Sequence, residues 1–344
     1  MSDQWLIDVI PSKCPADLSD IPDPYRHVWE RYVGPVVASN GDRERWVEDA
    51  ARLEAAVRLL PEPMVRVLGR KTIIEDADRM PHYGPIASIP FEDQIGLDGN
   101  ADRYAMFPSL RGFLGRDVTV TDCDPKRISD AVFAMRKRHP ADGLVVKFIA
   151  APKTVPLAFI DPDLYYRKYD PDNGEWYRTW FEPVGWLDWT GIRYEGEPDS
   201  VFVQQRVRMR FEYRVFVIGG RPVCGAGCIE NHTPLDNTGD AYDPWMEETR
   251  NNRKPESHPL IAGLYEQYAY EVAHAIRGDV EGPYTLDLYL GDDGQPHVLE
   301  LNPMRNAGLY ALNMDRLLEA VSANPGEFTP KPAPMGDVME SDDV

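Results

Sequence analysis

Residues 283–303 read PYTLDLYLGDDGQPHVLELNP, two mainly apolar runs that each carry one acid, Asp287 and Glu300, with an amide at Asn302. The alternation is that of β-strands. LGDDGQ between them is a hairpin signal, and Asp293-Gly294 suits the two central positions of a type I′ turn. Such a turn opposes Asp287 to Glu300 and Thr285 to Asn302, and sets Leu286 against Leu301 and Leu288 against Leu299 on the other face. One face then covers a core, which also takes His297, and the other is left for chemistry. Directly opposed side chains have Cβ atoms about 4.5–5.5 Å apart, and like charges there repel. Two carboxylates so placed call for a cation, a shared proton or water. Three oxygen-bearing side chains suit Mg²⁺, or Mn²⁺ in its place, an ion that takes one or two carboxylates and completes its shell with water and phosphate oxygens. Asp287, Glu300 and Asn302 are therefore the candidate metal ligands.

The whole chain sets bounds on this reading. With 344 residues it is long enough for two or three subdomains and a cleft. Apolar content of 43% is ordinary for a globular protein, and no run approaches the roughly 20 apolar residues that cross a bilayer. The opening MSDQWLIDVIPSKC lacks a basic segment followed by an apolar one, so the expected location is the cytoplasm. A net charge of -20 opposes binding to nucleic acid or to an anionic membrane. Four cysteines are too few for a disulfide scaffold. Cys224 and Cys228 lie on a strand-like run that separates them by roughly 13 Å, which rules out a shared metal and leaves buried thiols.

Four regions follow from the pattern changes. Residues 1–124 mix helices and strands; the clearest helix, DRERWVEDAARLEAAVRLLP, puts Trp46, Leu53, Val57 and Leu60 on one face and pairs Glu48 with Arg52 and Glu54 with Arg58 on a solvated one. Residues 125–203 form a β-rich region: a helix, the strand GLVVKFIAA with Lys147 in its middle, and a Tyr- and Trp-dense stretch expected to pack a small sheet. Residues 204–322 hold strands turning at Gly219-Gly220, a polar loop over 231–257, and a helix with Ile261, Leu264, Tyr268, Val272 and Ile276 on one face. The hairpin and a short helix near Met314 follow. An unbroken strand would line up Arg206, Arg208, Arg210, Glu212 and Arg214 opposite Val207, Met209 and Phe211. Residues 323–344 read as a disordered acidic, Pro-rich tail.

A strand Asp followed about a dozen residues later by Glu-x-Asn resembles the metal-binding signature of the ATP-grasp superfamily. The lysine strand VVKF, then VFVQQRV, EYRVFVIGG, a helix and the acidic hairpin occur in that superfamily's order, over roughly residues 125–310. The resemblance implies an α+β protein with the ATP-grasp fold, two α/β subdomains gripping ATP behind an N-terminal mixed α/β domain. It implies that Lys147 reaches nucleotide phosphates, with Lys153 closing over them. Gln204 would meet the adenine edge together with the backbones of Gln205 and Val207, and Glu212 would accept from ribose hydroxyls. Arg214 would face phosphate, and Arg305, after Asn302-Pro303, would steady the transferred phosphoryl group or hold a substrate carboxylate. Thr285 departs from relatives that carry an arginine there; Arg305, Arg250 or Arg253 could supply that charge.

The function so implied is an ATP- and Mg²⁺-dependent ligase joining a carboxylate to an amine or thiol through an acyl phosphate, acting on small molecules or a peptide. A small-molecule kinase could use the same phosphate machinery. A retaining glycosidase could use Asp287 and Glu300 with the Trp-rich stretch as a sugar platform, but leaves Lys147 and Arg214 unexplained. A non-catalytic nucleotide-binding module is the remaining alternative.

Overall fold

In the computed structural model, residues 4–9, 19, 21–33, 43–67, 82–83, 99–149, 157–170, 172–190, 200–208, 210–227, 258–304, 307–310 and 312–329 are described. They form β1 (Trp5–Val9), α1 (Asp23–Tyr32), α2 (Arg43–Leu59), β2 (Pro63–Val67), β3 (His82–Tyr83) and β4 (Val118–Asp122). Next come α3 (Pro125–Arg138), β5 (Leu144–Phe148), β6 (Ala158–Ile160), β7 (Tyr165–Asp170), β8 (Glu175–Trp180), α4 (Pro183–Thr190) and β9 (Ser200–Gln205). The last part supplies β10 (Arg210–Ile218), β11 (Arg221–Gly227), α5 (Pro259–Ala275), β12 (Tyr284–Leu290), β13 (Pro296–Pro303) and α6 (Met314–Ala323). Two units result, one of Met1–Ala101, Phe211–Leu288 and Asn302–Val344, the other of Asp102–Arg210 and Tyr289–Leu301.

In the first unit β1 lies between β2 and β3 in a parallel sheet, and its Trp5, Leu6 and Ile7 are all buried, as a strand covered on both faces requires. Helix α2 packs against α1 and α6. The solvated, charge-laced face expected for it is only partly there. Glu54 and Arg58 pair at 3.1 Å, but Asp49 and Arg52 are buried, and Arg52 donates to the Ala307 carbonyl at 3.1 Å. The reason is that Ala50, Ala51, Ala55 and Ala56 allow close approach around much of the circumference. The side chains of Trp46 and Glu48 lie outside the described ones.

Strands β10 and β11 join through Gly219 and Gly220, both at positive φ, as the two-residue turn demands. Cys224 on β11 is a buried free thiol; Cys228 lies outside the described residues. Of the predicted stripe on helix α5, Val272 and Ile276 are buried, Ile261 and Tyr268 half-buried and Leu264 exposed, while Ala262, Tyr265, Ala269 and Ala273 complete the buried face. Its alanines form the contact face, which hydrophobicity alone ranks below leucine. The expected tail does not begin at 323: Pro325–Phe328 form a short 3-10 turn, with Phe328 buried and its ring 5.9 Å from that of Trp5.

The second unit is built on an antiparallel sheet of order β4-β9-β5-β6-β7-β8. Helix α3, capped by Asp124 accepting from the Arg127 N–H at 2.9 Å, buries Ile128, Val132 and Met135 against it. The aromatic stretch does pack this sheet: Tyr166, Phe181 and Trp186 are core residues, and Phe148 stacks on Trp186 at 4.9 Å. Burial of Phe148 contributes about 1.5–3 kcal/mol. Trp176, Tyr177 and Trp180 stay exposed on the edge strand β8.

The single polar stripe from Arg206 to Arg214 does not form. Strand β9 stops at Gln205, β10 starts at Arg210, and Phe211 has a φ of 52°, a left-handed conformation that interrupts strand alternation. Arg206, Arg208 and Arg210 are exposed, whereas Arg214 is buried.

Candidate functional site

Strands β10 and β12 are neighbours in a four-stranded sheet of order β11-β10-β12-β13, and each presents one charged side chain to the same buried spot. Arg214 donates from Nε to Asp287 Oδ1 and from Nη2 to Asp287 Oδ2, both at 2.7 Å, a two-pronged pair whose side chains are 4% and 1% exposed. Its Nη1 donates to the Gly308 carbonyl at 3.0 Å, and its guanidinium lies 4.6 Å from the Tyr310 ring centre. Tyr310 itself has a φ of 54°. Asn302 Nδ2 donates to Asp287 Oδ2 at 3.3 Å. Arg214, Asp287 and Asn302 thus come together, all in the first unit.

The hairpin differs from its expected form at the turn. The Gly291 N–H donates to the Gln295 carbonyl at 2.9 Å and the Gly294 N–H to that of Gly291 at 3.0 Å, with Gly294 at a φ of 74°. Asp292, Asp293 and Gly294 therefore make a three-residue loop, with glycine in the left-handed bulge position. The pairing that opposed Asp287 to Glu300 rested on a two-residue turn and is not set by this one. Val298 is fully buried, whereas Leu299, expected on the core face, is half-buried. Further along, alternation breaks: Leu299 and Glu300 are both half-buried, and Leu301, Asn302 and Pro303 are all buried. Asn302 nonetheless reaches Asp287. Nor is one face of β12 free for chemistry, since Tyr284 to Tyr289 are buried on both faces.

Around the turn, Asp293 is held below the usual carboxylate range by the Gln295 backbone N–H and by His297, whose Nε2 lies 2.9 Å from Asp293 Oδ2. His297 is half-buried rather than part of a core. Gly115, at a φ of 60°, has the His297 ring where a side chain would stand, a Cβ falling 2.4 Å from it. Gly115→Ala is expected to lower stability by about 1–3 kcal/mol, measured by urea unfolding, because both backbone and ring must yield.

The second unit holds the other predicted pair. Lys147 on β5 donates to Glu300 Oε2 at 2.9 Å, with both side chains partly exposed. Tyr104 is buried near them; burial pushes its ionisation up against the opposing pull of Lys147 and Arg116, so it stays a neutral phenol. Gln204 on β9 accepts at Oε1 from Arg116 Nε at 2.8 Å. Gln205 donates to Asp142 Oδ2 at 2.7 Å, and its backbone N–H is bonded to the Asp117 carbonyl at 3.0 Å, which engages the group expected to meet adenine. Val207 and Glu212 are half-buried, the former past the end of β9 and the latter on β10 two residues before Arg214. Lys153, Arg250, Arg253 and Arg305 lie outside the described residues. Arg210 donates to the Gly291 carbonyl at 3.0 Å, and Arg116, which donates to the Val298 carbonyl at 2.7 Å, carries no motif that marks it in the sequence.

Asp287 and Asn302 in the first unit, and Glu300 in the second, each carry hard oxygen donors of the kind Mg²⁺ takes. The Thr285 hydroxyl, two residues from Asp287 along β12, is buried and has no partner among the described residues. Among the described residues no group of three or more His, Cys, Asp or Glu could hold a metal alone, so water and phosphate would have to complete the shell. The residues fit on one electrostatic condition. Asp287 is balanced by Arg214 and Glu300 by Lys147, so a cation arriving at either acid must come with an anion to which that acid's base can turn.

Residues 159–321 match a family model for an ATP-grasp domain, the third family of its clade. The chain contains an ATP-grasp domain. Its fold is accordingly the ATP-grasp fold, mixed α and β with several sheets. Among solved structures, an ATP-grasp ligase, PsnB, with a precursor peptide and AMPPNP is 16% identical at a TM-score of 0.34, over 63% of this chain and 55% of that one. D-alanine–D-alanine ligase from Bacillus anthracis complexed with ATP is 13% identical at a TM-score of 0.43, over 94% and 97%. The macrocyclase MdnC from Microcystis aeruginosa bound to a precursor peptide is 15% identical at a TM-score of 0.30, over 60% and 53%. The match to PsnB thus spans little more than half the length of that protein. No curated protein sequence matches the chain. Among the described residues no helix is long and apolar enough to cross a membrane.

Proposed function

We propose that this ATP-grasp protein is an ATP- and Mg²⁺-dependent ligase that joins a carboxylate to an amine or thiol through an acyl phosphate, in the cytoplasm, on small-molecule or peptide substrates. The observation that carries the reading is the pairing of each candidate metal acid with one candidate phosphate base: Asp287 with Arg214, Glu300 with Lys147. Phosphate is the anion for which Arg214 would exchange Asp287 and Lys147 would exchange Glu300, which frees Asp287 with Asn302 in the one unit, and Glu300 in the other, as donors to Mg²⁺. When bound, Mg²⁺ supplies charge neutralisation of the phosphate oxygens. Arg214 presents a planar fork suited to phosphate, preorganised by Gly308 and Tyr310; Lys147 is a point charge on a strand flanked by buried Val146 and Phe148. Such chemistry asks the chain for positioning and electrostatics and no covalent nucleophile. Arg305 and Lys153 keep the roles the family pattern implies, as do Gln204, Val207 and Glu212 at base and ribose.

The glycosidase reading loses ground, because both oxygens of Asp287 already accept from Arg214 and Glu300 accepts from Lys147, which leaves neither acid placed to donate a proton. Calorimetry with ATP and Mg²⁺ tests the proposal. Binding in the parent is expected, weakened about tenfold or more in Lys147→Ala, the loss of one charge-assisted contact. No binding at millimolar nucleotide would overturn it. Product analysis separates ligase from kinase, since only a ligase releases ADP and phosphate with a new amide or thioester when both acceptors are present.

A further inference from the structure

We propose that Arg116 is a positioning residue that sets both Glu300 and Gln204 for nucleotide and metal, an inference that rests on the ligase reading above. Its guanidinium donates through Nε to Gln204 Oε1 at 2.8 Å, and through Nη1 to the carbonyls of Leu114 at 3.0 Å and Val298 at 2.7 Å. Nη2 donates to the carbonyl of Leu299. That carbonyl and the N–H of Glu300 belong to one rigid peptide plane, so the bond fixes the direction in which the Glu300 side chain leaves the strand.

The location explains why an arginine is needed. Alternation along β13 breaks at Leu299 and Glu300, both half-buried, and there the carbonyls of Val298 and Leu299 take N–H donors from the Arg116 side chain. A half-buried carbonyl left without a donor costs about 1–3 kcal/mol. Arginine, with five N–H donors in a planar fork and no acceptor, can satisfy two such carbonyls and still reach a side-chain amide. Since it only donates, the Gln204 oxygen faces it and the Gln204 amide nitrogen is turned away. One guanidinium therefore ties the acid expected at the metal to the amide expected at the base, all within the second unit.

A readout that mere structural support would not move is the gain in ATP affinity that Mg²⁺ brings, measured by calorimetry on the full chain with Mg²⁺ and then with EDTA. In Arg116→Met that gain is expected to fall by about 10- to 100-fold, as for other residues that orient a metal ligand. Arg116→Lys, which keeps the charge without the fork, should lie between. Variants that unfold at a lower temperature but keep the parent's Mg²⁺ gain would overturn the role of Arg116 and leave the ligase reading standing. A parent that binds no ATP overturns both. Should Arg116→Met fail to fold, Arg116→Lys decides by the same measurement; if neither folds, Arg116 is a structural residue and the proposal is lost.

Discussion

Replacement of Arg214 by methionine is expected to lower the free energy of unfolding by about 3–5 kcal/mol, because it strands the carboxylate of Asp287 in a site with almost no access to water. The same loss is not expected when both partners go. In the double variant Arg214→Met, Asp287→Leu the desolvation cost of two charges disappears with their attraction, and most of the stability should return. Urea unfolding of the two variants beside the parent measures the difference. A double variant as unstable as the single one would mean that the pair stabilises the fold in its own right. Recovery of stability without recovery of ATP binding would mean that the chain keeps a buried ion pair it does not need for folding. On the ligase reading, that pair is what phosphate and Mg²⁺ take apart.

Glu300→Gln should lower ATP turnover by about 10²-fold or more, the usual cost of removing one preorganised charge from a transition state, while the fold persists. The isosteric amide removes a charge from a partly exposed pair with Lys147, and such pairs contribute about 1 kcal/mol or less. A thermal midpoint close to the parent's, with phosphate release reduced to that extent, is the expected result. Near-normal turnover would remove Glu300 from the site. The prediction differs from that for Arg214 because the two ion pairs differ in burial: one is enclosed, so its disruption is felt first in stability, and the other is open, so its disruption is felt in chemistry.

Element types were largely readable because they depend on local pattern. The α3 helix, the Gly219-Gly220 turn, the strand around Lys147 and the two acidic strands all follow from spacing and turn chemistry that act over a few residues. What failed depended on a single backbone irregularity. A left-handed Phe211 ended the arginine stripe, and one extra residue in the turn at Asp292 to Gly294 withdrew the simple opposition of Asp287 and Glu300. Strand parity has a period of two, so any one-residue deviation reverses every inference drawn beyond it. The contact face of α5 was only partly placed, with Val272 and Ile276 right and Leu264 wrong, for another reason: alanine contributes little to a hydrophobic pattern yet allows the closest packing.

By itself the sequence determined that two β-strands bring Asp287, Glu300 and Asn302 into one hairpin, and that Lys147 and Arg214 stand on other strands in the order of an ATP-grasp domain, because residue identity and order are all that a motif requires. Only the tertiary structure decided the partners: that Arg214 grips Asp287, that Lys147 meets Glu300, and that Arg116, far from both in the chain, holds the strand beside Glu300. Ion pairs and carbonyl contacts between distant segments leave no periodic trace, since they are set by which strands become neighbours and where a ladder breaks.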